Sequence, residues 1–449
     1  MAFEITKELL ENVNHYVSSS NNKALEQLFG EMHHADIAEI LDAISFDHAV
    51  YIIKLLDSET TSEVLMDVDD DVREKILKSL SAKEIAEEVE ELDSDDAADI
   101  IAELSEERQE AVMSAIEDED HVKEIEELLT YDEDSAGGLM AKELVKVNEN
   151  WSVLKCVKEM RIQAGEVTRV HSIYVVDDAG KLKGRLSLKD LLITSTKTPI
   201  SEVYIPKVDF VTVHVPSEEV ANIMRKYDLE AIPVIDDMGL LVGRITIDDI
   251  VDVIKEDADK DYQLAAGLVE DVEADDSILA LTKARLPWLI LGLFGGLGSV
   301  LIMEGYEGAM ENYKELFFFT PLIAAMAGNV GVQSAAIIVQ GLANDNVKGS
   351  LWKRLLKEIE LSLINGLVLG LLVIAVAPLL KLSLQFSFTV SLSMLCVIIV
   401  ASLIGTFVPI ILDKRGIDPA IATGPFITTS NDIFGIFLFF IIAKSLLPF

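Results

Sequence analysis

The chain has 449 residues, a formal net charge of −40 and hydrophobic side chains at 50% of its positions. This length exceeds that of a single-core domain, so we expect a multidomain protein. Ten Lys and Arg balance ten Asp and Glu after residue 283, so the whole negative charge lies in residues 1–283. A region this acidic repels nucleic acid and attracts cations, so no nucleic-acid partner is expected.

Residues 1–130 are predicted to be helical almost throughout, because short apolar-periodic stretches recur there. Two of these stretches, 35–41 and 98–104, are near copies of each other. Helices this short cannot each bury a face alone, so we expect an all-α superhelix in the cytosol. Gly137 and Gly138 predict a linker over 131–138.

Residues 139–258 contain two similar units, each predicted as a helix, a β-branched strand, a turn and a second helix. The strand sequence Ile-Tyr-Val-Val-Asp-Asp at 173–178 matches Ile-Pro-Val-Ile-Asp-Asp at 232–237. This duplication resembles a tandem pair of CBS domains, the cystathionine-β-synthase type, which form one α+β disc. The resemblance implies a regulatory module of a kind that often binds an adenosine nucleotide.

Two segments, 184–190 and 243–249, resemble the ribose-phosphate contacts of nucleotide-binding CBS domains. Asp248 adds a carboxylate that repels phosphate in the second segment, so we predict that ATP binds at the first. The residues that would bind it are Ser187, Asp190, Arg185 and Lys189.

From residue 286 the chain is apolar, and five stretches are long enough to cross the ~30 Å hydrocarbon layer as helices. They are 286–303, 316–342, 361–380, 388–412 and 420–442. We therefore predict a five-span domain over 286–449, preceded by a linker helix over 259–285. Eight Lys and Arg flank these spans on the side of the N-terminal half and three on the other. This bias predicts an N-terminus in the cytosol and a C-terminus outside. We expect a multi-pass protein of the plasma membrane.

Asp432 is the only acidic residue well inside any predicted span. An ionised carboxylate at that depth costs several kcal/mol unless it is compensated, so a cation in a wet pore is its natural partner. Thr428, at i−4, offers a backbone oxygen to the same ion, and Pro425 frees a carbonyl one turn earlier. Hard oxygen ligands suit Mg²⁺ and Ca²⁺. The alternative is a protonated or helix-capping aspartate.

Asn329 and Gln333 of the second span are i and i+4 and therefore share a helix face. Two primary amides inside a span need polar partners or water. They contact either the ion with its water or a neighbouring helix, with glycines allowing close packing. Both alternatives stay open from these residues.

The order of helical superhelix, CBS pair and five spans resembles that of MgtE-type magnesium channels. Two motifs also resemble that family. The first is Pro…Gly-Asn-x-Gly-x-Gln, which begins at Pro321. The second is Asp-Pro-Ala…Pro…Thr-Thr-x-x-Asp-x-x-Gly, which begins at Asp418. The resemblance covers nearly the whole chain. It implies a homodimer with its pore on the two-fold axis, Mg²⁺ bound at Asp432, and the 259–285 helix acting as a plug. Independently, one carboxylate cannot balance a dication, whereas a two-fold axis supplies two.

Acidic residues of the N-terminal half concentrate in two places, and the resemblance implies that cytosolic Mg²⁺ bound between them closes the pore. The first place holds Asp93, Asp95, Asp96 and Asp99, and the second holds Asp248, Asp249, Asp252, Glu256, Asp257 and Asp259. Facing carboxylates repel by roughly 1–4 kcal/mol per close pair, which divalent cations would relieve. A solvated acidic face is the alternative.

These patterns together predict a homodimeric, Mg²⁺-selective channel for magnesium uptake, closed by Mg²⁺ on its cytosolic domains. A secondary transporter for another divalent cation such as Co²⁺ is the first alternative. A CBS-regulated membrane enzyme is the second. We expect no enzyme, because no nucleophile–base pair, Walker loop or zinc-ligand spacing is recognisable.

Overall fold

The structure is a computed structural model that describes all residues except 1–3, 166, 168, 270, 271, 273–275, 344–346, 348, 423 and 449, and the side chains of 309, 310 and 422. Its internal contacts divide the chain into two units, Met1–Lys255 and Glu256–Phe449. The first unit contains short helices followed by two small sheets. The second contains long apolar helices.

Ten short helices occupy the described residues before 130. They are α1 (Lys7–Ser18), α2 (Asn22–Phe29), α3 (His34–Asp42), α4 (Phe46–Ile53), α5 (Ser58–Asp67), α6 (Asp70–Ser79), α7 (Ala82–Val89), α8 (Ser94–Ala102), α9 (Glu106–Met113) and α10 (Glu119–Leu128). A helix packs mainly on the helix two places further along, as α3 does on α5 and α5 on α7. The predicted all-α superhelix is confirmed.

Polar caps explain where several of these helices begin. Ser81 forms a capping box with Glu84 at the start of α7, and Asp57 accepts from the backbone N–H of Thr60 at the start of α5. Such caps satisfy N–H groups that have no partner within the helix. The short helices are therefore specified by local sequence as well as by the shared core.

One acidic side chain of the superhelix lies in an unfavourable place. Glu88 on α7 is half-buried, and its Oε2 is buried without a hydrogen-bond partner among the described residues. Burial, followed by the nearby Glu87 and Glu91, raises the pKa of Glu88 to about 7. The folded protein therefore favours the protonated Glu88, and its stability falls as the pH rises through about 7.

Glu88→Gln should raise the free energy of unfolding at pH 8 by about 1 kcal/mol, allowing for solvent screening, and change it little at pH 5. Urea unfolding of residues 1–255 at both pH values measures this difference. Glu26→Gln, at an exposed position of α2, is the control. Equal stabilisation at both pH values would contradict the titration.

Two three-stranded sheets of identical topology follow the superhelix. The first contains β1 (Val145–Asn148), β2 (Ile173–Val176) and β3 (Leu182–Leu186), and the second contains β4 (Val211–Thr212), β5 (Ala231–Ile235) and β6 (Leu241–Thr246). In each sheet the first two strands are parallel and the third is antiparallel. Their helices are α11 (Val153–Gln163), α12 (Leu188–Ile193), α13 (Ser217–Tyr227) and α14 (Ile247–Ala266). The predicted duplication is confirmed.

The sequence predicted no strand between the turn and the second helix of either CBS-like unit, which was wrong, because Gly184 lies in β3 and Gly243 in β6. A Cβ on Gly184 would collide with the backbone oxygen of Ile205, which pairs with Arg185 through two backbone hydrogen bonds. The glycine therefore allows another segment to approach the strand.

The predicted linker 131–138 is packed against the second sheet. The N–H of Ala136 donates to Val215 and that of Gly137 to Val213, at 2.7 and 2.9 Å. Ala136 and Met140 are fully buried in a core that runs from the superhelix into the second sheet. The superhelix and the second CBS-like unit thus share one hydrophobic core.

The second unit contains five helices that are long and apolar enough to cross a membrane. They are α15 (Ile278–Gly305), α17 (Glu315–Ala343), α18 (Leu351–Val376), α19 (Leu384–Asp413) and α20 (Gly424–Leu446), with the short α16 (Glu307–Asn312) between the first two. The predicted α-helical five-span domain is confirmed. Many large apolar side chains of α15 and α18 are exposed, as lipid-facing residues would be.

The predicted single linker helix over 259–285 was wrong. Helix α14 ends at Ala266, Gly267 adopts a left-handed conformation with φ +87°, and α15 begins at Ile278. A residue with positive φ cannot continue an α-helix, which is why the helix ends there. Acidic residues of this linker at positions 270, 271, 273 and 275 lie outside the described residues.

Candidate functional site

A cavity of about 280 Å³ lies between α17 and α20. Its lining includes all four residues predicted to face the ion, which are Asn329, Gln333, Thr428 and Asp432. The remaining lining is small or apolar, with Ala324, Ala325, Gly328 and Val332. The two amides therefore project into the same space as the carboxylate, rather than only joining helices.

Small residues allow α17 and α20 to pack closely around this cavity. A Cβ on Gly328 would lie 3.2 Å from the Thr428 methyl carbon and 3.4 Å from Oδ1 of Asp432. One turn away, a Cβ on Gly331 would collide with the side chain of Asn431. The glycines predicted to allow close packing thus hold the Asp432 face of α20 beside the amides of α17.

The structure changes the predicted role of Pro425. Helix α20 begins at Gly424, so Pro425 lies in its first turn, where the absent N–H has no intrahelical partner to lose. It therefore does not interrupt a span to free a carbonyl. The Thr428 hydroxyl donates to the Gly424 carbonyl at 3.0 Å.

Two polar residues near the cavity were not predicted from the sequence. Asn431 is 1% exposed, and neither its Oδ1 nor its Nδ2 has a hydrogen-bond partner in the described part of the chain. Glu358 of α18 accepts a hydrogen bond of 2.6 Å from the Ser334 hydroxyl, beside Gln333. Glu358 was missed because the predicted third span began at residue 361, whereas α18 begins at Leu351.

In the first unit, the acidic start of α8 lies beside the start of α14. Burial, followed by repulsion from Asp96 and Asp249, raises the pKa of Asp95 well above its usual value. Burial and then Asp249 likewise raise the pKa of Asp96, and burial raises that of Asp249. Asp99 is more exposed than these three residues, and partial desolvation followed by the charge of Glu133 raises its pKa. These two predicted acidic groups therefore converge.

Arg244 provides positive charge beside this cluster. Its guanidinium lies 3.5 Å from the Asp93 carboxylate and donates to the Arg169 carbonyl at 3.0 Å. Arg244 is 5% exposed, and its Nε has no hydrogen-bond partner within the described residues. Arg244 thus joins the sheet domain to the superhelix.

The remaining predicted acidic residues lie along α14. Asp252, Glu256 and Asp259 fall on this one helix, as their spacing predicts. Burial raises the pKa of Asp252, with Asp67 and Asp248 adding repulsion. Asp248 accepts a hydrogen bond from the Thr246 hydroxyl. Glu256, Asp257 and Asp259 belong to the second unit.

The two predicted nucleotide segments differ in their internal hydrogen bonds. Asp249 accepts from both the N–H and the hydroxyl of Thr246, at 2.9 and 2.8 Å, so its carboxylate is engaged with its own chain. In the first segment the Ser187 hydroxyl accepts from the N–H of Lys189 at 3.2 Å. Arg185 and Lys189 are exposed, and Asp190 is partly exposed.

Comparison with known proteins identifies the family. Residues 32–134 match the MgtE intracellular N domain, 136–195 and 200–256 match CBS domains, and 320–442 match MgtE, a divalent cation transporter. The magnesium transporter MgtE of Thermus thermophilus is 35% identical over 325 residues, which cover 71% of each chain. The chain belongs to the MgtE family. The Enterococcus faecalis MgtE is 37% identical over 317 residues, 70% of each chain.

A solved MgtE structure matches the N-terminal half. The cytosolic domain of the Mg²⁺ channel MgtE in complex with ATP has a TM-score of 0.51 and 33% identity, covering 55% of this chain and all of that one. Inosine-5′-monophosphate dehydrogenases match only in the CBS region. That of Halalkalibacterium halodurans is 29% identical over 174 residues, which are 34% of the enzyme. Relatives that match most of the chain are transporters.

Proposed function

We propose that this MgtE-family member is a homodimeric Mg²⁺ channel of the plasma membrane, used for magnesium uptake and closed by cytosolic Mg²⁺. The observation that carries the proposal is the cavity between α17 and α20, which brings Asp432 together with Asn329 and Gln333. Relatives that match most of the chain are named magnesium transporters. In the proposed orientation the N-terminal half lies in the cytosol and the C-terminus lies outside.

The polar groups of the cavity suit a hydrated dication. Mg²⁺ gives up its water reluctantly and prefers an octahedral oxygen shell. Asp432 supplies charge, while the amide oxygens of Asn329 and Gln333 accept hydrogen bonds from water bound to the ion. The Thr428 backbone oxygen is the fourth proposed ligand. A second copy of Asp432 across a two-fold axis would balance the charge of the ion.

The converging acidic clusters are the proposed sensor of cytosolic Mg²⁺. Asp95, Asp96 and Asp249 are crowded so closely that their ionised forms repel one another. A divalent cation removes this repulsion and favours the arrangement in which the superhelix and the CBS-like pair are packed together. The stripe Asp252, Glu256 and Asp259 and neighbouring Asp257 extend the proposed sensor along α14.

Flux measurements in proteoliposomes test the channel proposal. Uptake of Mg²⁺ should follow its electrochemical gradient alone, and single-channel currents should close as Mg²⁺ is added on the cytosolic face. Flux that requires a counter-gradient of H⁺ or Na⁺ would instead establish a coupled transporter. Uptake of Co²⁺ without Mg²⁺ would establish a transporter for another divalent cation.

Gly328→Ala should lower Mg²⁺ flux about tenfold, because its Cβ would crowd the Thr428 methyl group beside Asp432, and overpacking costs about 1–3 kcal/mol. Gly296→Ala is the matched control, since no described residue lies within 4 Å of that Cβ. Both proteins are reconstituted at equal density and compared by a Mg²⁺-sensitive dye. Equal flux in the two variants would contradict a conducting path through this cavity.

We propose that ATP binds at the first CBS-like unit through Ser187, Asp190, Arg185 and Lys189. The hydrogen bonds between Asp249 and Thr246 disfavour ATP binding at the second CBS-like unit. Calorimetric titration of residues 1–270 with ATP should give saturable heat that Asp190→Ala abolishes and Asp249→Ala retains. By linkage, Mg²⁺ should tighten ATP binding if ATP favours the closed state. If only Asp249→Ala abolishes the heat, ATP binds at the second CBS-like unit instead.

A further inference from the structure

A second kind of polar cluster lies in the first unit, away from the residues assigned above. One ring nitrogen of His121 and one carboxylate oxygen each of Glu124 and Glu143 lie within 4.8 Å of one another. His121 and Glu124 are i and i+3 on α10 and therefore share a helix face. Glu143 comes from the segment that leads into β1. All three side chains are partly buried.

The histidine of this cluster is oriented by its second nitrogen. Nε2 of His121 lies 3.2 Å from the backbone oxygen of Val89, which can only accept a hydrogen bond. The neutral ring therefore carries its proton on Nε2 and keeps the lone pair on Nδ1. A hydrogen bond from the other ring nitrogen to a carbonyl is the usual support of a metal-binding histidine.

The Glu143 carboxylate is oriented from the opposite side. Its Oε1 accepts the N–H of Ser94 at 3.2 Å, and its Oε2 accepts the Ser94 hydroxyl at 2.9 Å. Each oxygen keeps a further lone pair for an ion. Lys142 is the nearby cation, but its ammonium is bound to Glu127 at 2.6 Å. Its positive charge is thus already paired with a carboxylate outside the cluster.

We propose that His121, Glu124 and Glu143 bind a first-row transition-metal dication, with Zn²⁺ as the test ion. One imidazole and two carboxylates suit Zn²⁺, Mn²⁺ or Co²⁺, whereas Mg²⁺ prefers oxygen ligands throughout. Three protein ligands leave one tetrahedral position for water. The ligand chemistry separates this site from the Mg²⁺ sensor and from the pore.

Metal binding here would fasten two parts of the first unit together. His121 and Glu124 belong to the superhelix, whereas Glu143 lies just before the first sheet. Ser94 connects Glu143 to the first turn of α8, which carries Asp95 and Asp96. An ion at this cluster would therefore stiffen the junction beside the proposed Mg²⁺ sensor without sharing a ligand with it.

Equilibrium dialysis against Zn²⁺ tests the site. Full-length protein carrying a histidine-free affinity tag is held in detergent with saturating Mg²⁺, which fills the oxygen-only sites. Wild type should bind one Zn²⁺ per chain more than His121→Ala or Glu124→Gln. Exposed Glu126→Gln on the same helix and His34→Ala, beside Asp67, are the controls and should keep the wild-type stoichiometry.

Cobalt spectroscopy of the wild-type protein keeps the test independent of a variant that fails to fold. Co²⁺ at this site should give the intense visible bands of a tetrahedral nitrogen–oxygen shell, and added Zn²⁺ should remove them. Weak octahedral bands alone, or a Zn²⁺ stoichiometry unchanged in Glu124→Gln, would overturn the proposal. Because these readouts measure binding, they stay interpretable if the protein proves not to conduct Mg²⁺.

Discussion

Asp432→Asn is expected to lower Mg²⁺ flux at least tenfold while leaving the fold intact. The substitution keeps the shape of the side chain in the cavity between α17 and α20 but removes its charge. The attraction between a dication and one nearby carboxylate is worth several kcal/mol at an effective dielectric constant of about 20. A loss of about 1.4 kcal/mol already weakens binding of the ion tenfold. The two-fold axis of the proposed dimer doubles the loss, since both carboxylates disappear.

The measurement compares proteoliposomes that contain wild type, Asp432→Asn or Asp413→Asn at equal protein density. Asp413 is exposed at the end of α19, so its substitution changes the same charge away from the cavity. Uptake is followed with a Mg²⁺-sensitive dye, and folding is checked by the elution volume in detergent. Wild-type flux through well-folded Asp432→Asn would show that Asp432 does not bind the permeating ion.

Several parts of this structure could be predicted from local sequence, because local chemistry decides them. Apolar length identified the five spans. The i, i+4 spacing of Asn329 with Gln333, and of Thr428 with Asp432, placed each pair on one helix face. The structure then places both pairs on one cavity.

The relative placement of helices and strands could not be predicted, because it depends on contacts between distant residues. Gly331 meets Asn431 and Gly435 meets Ala327, about a hundred positions apart in the chain. Strands β3 and β6 escaped detection because a glycine and an arginine interrupt their apolar alternation. In the sequence, a glycine indicates a turn. Its presence in a strand is explained only by the segment that packs against it in the folded protein.

The acidic clusters show the same division between local and distant information. Their composition was evident in the sequence, but their pairing was not, since Asp96 and Asp249 are brought together by the core that the superhelix shares with the second sheet. Likewise, Glu143 joins His121 and Glu124 through the packing of the segment before β1, with no spacing motif to indicate it.

Neutralising Asp96 and Asp249 together is expected to raise the cytosolic Mg²⁺ concentration needed for closure about 5- to 150-fold, the usual range of a coupling of 1–3 kcal/mol. These carboxylates repel each other from α8 and α14 at half-buried positions, where water screens repulsion less than at an open surface. The variant Asp96→Asn with Asp249→Asn removes both charges and keeps side chains of similar size. Mg²⁺ should protect the N-terminal half of the wild type from proteolysis, and the variant should lose this protection.

A double variant with exposed positions in the same two domains, Asp47→Asn with Asp237→Asn, is the control for net charge and should close at the wild-type concentration. The stripe variant Asp252→Asn, Glu256→Gln and Asp259→Asn should raise the closing concentration in the same direction. Single-channel recording with Mg²⁺ titrated on the cytosolic face provides the measurement. Closure of the Asp96/Asp249 variant at lower Mg²⁺ would mean that these carboxylates only repel each other. Closure at an unchanged concentration would show that they neither bind the regulatory ion nor oppose the closed state.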